Sequence, residues 1–332
     1  MRSSSAACVL CLMCLLAGCL GIEEYETLWD YRAEVLSLPG LHSMGSISGI
    51  EEGSALLALK GTALLVSSRE GTVYRAGTES MEILNEWTVG DPTVGDYGQM
   101  LRRPWVPRFY LVSGRSGLTE ASTTEGTVLE QFEVGDSPLA ICHSLDSAYM
   151  FVSDGSTGEI FEIFCAENAV RRSLECEHAP VAMAPFFADP GYILMACADS
   201  RGTLYFLNMD YFYPIPWESG SPCSDVVVIS DTLYALAQPD WAGGSGRLLV
   251  CSGAEIGIEQ TRVSIEGHPF RLCADPDGSL LYCGSRRGNG TTLISVYSVD
   301  SSRVISERVL DGFLQDMAIS RDRQRLMVLL FE

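Results

Sequence analysis

From about residue 28 to its end the chain alternates short apolar runs with turns rich in Gly, Asp, Pro and Ser. Gly158 to Phe164 reads as an alternating strand, with Glu159 and Glu162 interrupting its apolar residues. Ala148 to Ser153 and Leu280 to Gly284 are more continuously apolar, as expected of strands covered on both faces. Gly and Asp fall between these runs because tight hairpin loops need positive φ. No stretch beyond the N-terminal segment carries an amphipathic helical period. The pattern predicts an all-β domain.

The runs recur as a unit of about 44 residues. Pro138 opens PLAICHSLDSAYMFVSDGSTGEIFEIF, Pro180 opens PVAMAPFFADPGYILMACADSRGTLYFL, and Pro222 opens PCSDVVVISDTLYALAQPDWAGGSGRLLVCS. Pro269 opens PFRLCADPDGSLLYCGSRRGNGTTLISVYS, and Phe313 opens a shorter final copy, FLQDMAISRDRQRLMVLLFE. Fainter copies cover Ala55 to Gly90 and about Thr93 to Gly135. Each full unit reads as four strands. The last holds only two, and Leu28 to about Ile50 can supply its missing outer pair. Residues 28–332 then close a ring of seven units without an open edge at the seam. The predicted fold is an all-β, seven-bladed β-propeller whose N- and C-terminal strands share one blade.

Pro138, Pro180, Pro222 and Pro269 at the unit openings, with Asp275-Pro276-Asp277-Gly278 at a turn, resemble the YVTN-type seven-bladed propeller repeats of cell-surface and periplasmic proteins. The chain departs from that family in lacking the YVTN tetrad and in the degenerate turns Asp146-Ser147 and Asp189-Pro190-Gly191.

The N-terminus reads as an address. Arg2 precedes an unbroken apolar run from Ala6 to Leu16, 11 residues. A helix of that length spans only about half of a ~30 Å hydrocarbon layer, so it reads as a signal segment. Leu16-Ala17-Gly18-Cys19 resembles the bacterial lipobox. That resemblance implies cleavage before Cys19 and lipidation of Cys19, with residues 1–18 a signal peptide, 19–27 a tether and 28–332 the propeller. Leu20 is not the Asp that resembles an inner-membrane retention signal, which favours the outer membrane, facing the periplasm or the surface. Cys8, Cys11 and Cys14 have the spacing of an iron–sulfur run, but they lie in the segment that export removes.

Acidity narrows the partners. With 43 Asp plus Glu against 22 Lys plus Arg, the net charge is -21. Such a surface repels nucleic-acid phosphates and anionic head groups. The membrane is expected as a partner only through the lipid, and otherwise a protein or small ligand.

The search for chemistry returns little. Beyond the signal segment there is no C-x2-C, no G-x-S-x-G elbow and no G-x-G-x-x-G loop. The four His show no local ligand spacing, so no metal, cofactor or catalytic residue is nominated. Cys273 and Cys283 flank the DPDGS turn and form either a cross-strand disulfide or two small apolar core positions. In a propeller the loops between blades and those between second and third strands share one face. That face would gather Asp136, Asp154, His178, Asp199, Arg201, Trp241, His268, Arg286 and Arg287 as a binding surface. Two functions follow: a binding scaffold tethered to the envelope, or, by fold analogy, a propeller enzyme of the lactonase or quinone-dehydrogenase type with a channel metal such as Ca²⁺.

Overall fold

The computed structural model describes residues 30–332 apart from 68, 91–96, 114–116, 189–191, 200, 209–212, 219–220, 239–244 and 253–258. The expected signal peptide, the tether with Cys19, and Trp241 lie outside the described residues.

Among the described residues the strands pair into seven four-stranded antiparallel sheets, which make an all-β propeller. Six sheets are built from four consecutive strands. Their inner strands are Gly53–Ala58, Tyr97–Arg102, Pro138–His143, Pro180–Ala188, Cys223–Ile229 and His268–Ala274. The inner strand of the remaining sheet is Phe313–Ile319, and around the centre each inner strand touches the next until Phe313–Ile319 meets Gly53–Ala58.

Sequence period explains why the sheets stand on edge like this. In Thr62–Ser67, Leu64 and Val66 pack toward the sheet that begins at Tyr97, while Ala63 and Leu65 pack toward the closing sheet. Alternate side chains leave opposite faces of a strand, so both faces here are covered and the run is apolar throughout. The core is consequently divided. Seven hydrophobic clusters of described residues each occupy one gap between neighbouring sheets. Outer strands have one neighbour fewer and turn polar: in Ile83–Thr88 the middle positions Leu84, Asn85 and Glu86 are exposed.

The closing sheet joins both ends of the chain. Tyr31–Ser37 pairs antiparallel with Arg325–Phe331, setting Ala33 opposite Leu329 and Val35 opposite Met327, and His42–Ile50 adds the outer edge. Arg32 fastens the seam from outside. It donates to the Asp311 carbonyl at 2.8 Å and pairs with the Glu332 carboxylate.

Glycine is required where the turns bring backbones together. Gly158 has φ +77°, and a Cβ there would sit 2.8 Å from the Cys176 carbonyl oxygen.

Leu329 is fully buried in the seam, whereas Leu84 is 47% exposed. Leu329→Ala is expected to cost about 2–5 kcal/mol of unfolding free energy. Leu84→Ala should stay within about 0.5 kcal/mol. Urea titrations of the two variants beside the parent check the contrast.

Candidate functional site

The ring leaves a channel at its centre, walled by the inner strands. Each inner strand carries a break in register at the same place, for example between Cys223 and Asp225, Pro269 and Arg271, and Leu314 and Asp316. A bulge re-aims the side chain that follows it. On three successive sheets that side chain is charged, and Asp225, Arg271 and Asp316 together line a cavity of about 170 Å³ with Gln99, Met100 and Met317.

These groups are tied to the backbone of the next sheet. Asp316 accepts from the Leu56 amide at 2.8 Å across the seam, from the Met317 amide at 2.9 Å and from Arg271 Nε at 3.1 Å. Asp225 accepts from the Leu272 amide at 2.8 Å and the Val226 amide at 2.9 Å. Gln99 accepts from the Ile141 amide at 3.2 Å. Burial pushes the Asp225 carboxyl up to about 6, against the opposing pull of Arg271 and the two amides. Asp316 is raised for the same reason. These channel charges were absent from the sequence-based candidates. The available signal was one charged residue near the start of an otherwise apolar inner strand, repeated in three successive units.

The loop face holds a second cavity of about 350 Å³. Its walls include His268, Arg286 and Arg287, three of the residues nominated from sequence, with Gln238, Phe270 and Phe313. The pairing of His268 with Arg286 in neighbouring strands explains why they meet. The Arg286 guanidinium lies 3.6 Å from the centre of the Phe270 ring, a cation–π contact. It donates from Nε to the Leu314 carbonyl at 2.6 Å and from Nη2 to Gln315 Oε1 at 2.8 Å. Burial, and then repulsion from Arg271, lowers its pKa to about 10. Arg287 pairs with Glu266, its Nε 3.0 Å from the carboxylate.

The other nominated residues line no part of that cavity among the described residues. Asp154 is fully buried and ties a turn: it accepts from the amides of Asp136, Ser137, Ser156 and Thr157 and from the Ser156 hydroxyl, at 2.6–2.8 Å. Burial alone would raise its pKa, but these donors outweigh it and hold the carboxyl well below the usual carboxylate range. The Asp136 side chain is exposed, and it is the backbone of this residue that reaches Asp154. His178 donates its amide to the Tyr205 hydroxyl at 3.3 Å. Asp199 closes a strand opposite Pro180, with its side chain outside the described part, and Arg201 is exposed in the turn that follows.

The disulfide reading of Cys273 and Cys283 needs correction. The register sets Cys273 opposite Tyr282 and Cys283 opposite Leu272. Residues one step apart in register point to opposite faces, so the two sulfurs do not meet, and both are free thiols. Cys283 packs in the gap toward the Cys223 sheet and Cys273 in the gap toward Phe313. Among the described residues no three His, Cys, Asp or Glu side chains converge as a metal site.

The architecture and its charged channel define a β-propeller. No protein-family model and no curated protein sequence matches the chain. Solved structures do. One is Kuenenia stuttgartiensis hydrazine synthase, 14% identical, with a TM-score of 0.67, covering 83% of this chain and 92% of that one. Another is U3-55K, 12% identical, with a TM-score of 0.64, covering 90% of this chain and 98% of that one. At these identities the likeness is one of fold.

The two aspartates predict opposite pH slopes. Asp154 ionises in the folded chain well below its unfolded value of about 4, so its stabilisation is present above about pH 4 and is lost as pH falls toward the folded value. Asp154→Ala orphans its donors and should cost at least about 2 kcal/mol at neutral pH, with a smaller difference in acid. Asp225 keeps its proton to about pH 6 when folded. Stability therefore falls as pH rises from about 4 to about 6, and Asp225→Asn should lessen that slope, leaving the part that Asp316 contributes. Denaturant midpoints across pH 3–7 read both.

Proposed function

We propose that the chain is an exported, lipid-anchored envelope protein whose seven-bladed propeller acts as a binding scaffold for a protein or small ligand. The apolar run followed by Leu16-Ala17-Gly18-Cys19 supports export and lipidation at Cys19, and Leu20 supports outer-membrane placement, with the propeller facing the periplasm or the cell surface. The YVTN-type resemblance of the unit openings agrees with an envelope setting. The observation that carries the binding role is the loop-face cavity where His268, Arg286 and Arg287 converge on a frame braced by seven packed gaps. Sites of this form, concave with a few polar groups held by a rigid frame, are the usual sites of recognition. A net charge of -21 argues against nucleic acid as the partner.

A second reading, a propeller enzyme of the lactonase or quinone-dehydrogenase type, takes its support from the channel. Asp225, pushed up to about 6, is suited to exchange a proton near neutral pH. In a binding scaffold, Asp225→Asn leaves partner capture intact. In an enzyme it removes turnover.

Cys19→Ala is expected to abolish palmitate labelling and move the protein from the membrane to the soluble fraction. Continued membrane association with no label would overturn the anchor. Affinity purification of the tethered protein from solubilised envelopes should recover a stoichiometric partner or a co-purifying small molecule, and recovery of neither counts against the scaffold.

A further inference from the structure

We infer that the loop-face cavity is a site for a small oxyanion, carboxylate or phosphate, carried on a planar apolar body. The inference deepens the binding role proposed above and rests on it.

The Arg286 guanidinium is half-buried, and its hydrogen-bond partners are a backbone carbonyl and an amide oxygen, both neutral. No carboxylate among the described residues pairs with it, although the chain holds 43 acidic residues. The charged group that acts on it most is Arg271, which repels it. A guanidinium withdrawn from water without a counter-ion is unfavourable unless some other anion completes it. Here the cation borders an open cavity of about 350 Å³, so the completing anion can come from solution.

Two further groups fit the same anion. Arg287 follows in sequence and shares the cavity wall; its Glu266 partner is 55% exposed and can yield one side of the fork. His268 faces Arg286 across the strand pair and is exposed to the cavity. An arginine fork matches the planar geometry of a carboxylate and the oxygens of a phosphate.

The remaining wall sets the rest of the ligand. Phe270, on whose face Arg286 rests, and Phe313 supply aromatic surface, and Gln238 supplies an amide at the rim. A bare ion would leave that surface uncovered. A ring bearing one oxyanion would place its charge at the arginines and its apolar body against Phe313.

The test titrates the intact protein with benzoate and phenyl phosphate, with inorganic phosphate as the bare anion and benzamidine as a planar cation, read by calorimetry. One-to-one saturable binding of benzoate or phenyl phosphate is expected, at least tenfold tighter than inorganic phosphate, with no benzamidine binding. Which of the two binds tighter identifies the oxyanion. Arg286→Gln and Phe313→Ala should each weaken binding at least tenfold. Arg286 also braces Leu314 and Gln315, so Arg287→Gln, which leaves those bonds intact, provides the second variant and should weaken binding several-fold. Failure of both probes to bind overturns the site. So does equal binding of benzamidine, or affinity unchanged in both arginine variants. If envelope purification still recovers a partner in those cases, the scaffold role stands and only the oxyanion site falls.

Discussion

Every sheet in this molecule has two apolar faces and no way to cover either alone. A strand such as Arg325–Phe331 sends Leu326, Val328 and Leu330 into one gap and Met327 and Leu329 into the next. A stack in a line would leave the terminal sheets with a bare face. A ring removes that problem, and the antiparallel pairing of Tyr31–Ser37 with Arg325–Phe331 is what makes the ring continuous. Packing in the two gaps that flank this sheet depends directly on that one ladder being formed.

The same geometry creates the channel and decides what it contains. Inner strands converge there, and their bulges turn one side chain per sheet toward the axis. Where that side chain is polar it staples its sheet to the neighbour: Asp316 to the Leu56 amide, Asp225 to the Leu272 amide, Gln99 to the Ile141 amide. The aspartates therefore hold the centre together while carrying a raised proton affinity. Charge is concentrated at two places near one another, the channel and the loop-face cavity, and Arg271 acts on groups in both.

Much of the architecture was legible in the chain because a propeller repeats its punctuation. Pro138 and Pro180 begin inner strands, Pro222 and Pro269 stand within a residue of the start of theirs, and Phe313 opens the short copy completed by the N-terminal strands. His268, Arg286 and Arg287 were legible as a group because strand pairing fixes their proximity. The other nominated residues that the structure describes line no part of the loop-face cavity. Asp154 is consumed by its own turn, where it accepts from the amides of Asp136, Ser137, Ser156 and Thr157. The channel charges were missed because a lone charge on an inner strand names no partner, and residues 225, 271 and 316 meet only through the curvature of the closed ring. Cys273 and Cys283 depended on register, where a single step reverses the face.

The shared seam also orders events in time. Tyr31–Ser37 pairs on one side with His42–Ile50, but its other edge finds a partner only in residues 325–331, which are made much later. Until then the free edge of Tyr31–Ser37 stays unpaired and the circle stays open. Ring closure thus rests on a pairing between segments nearly the whole described chain apart, a long-range contact of the kind that forms late in folding.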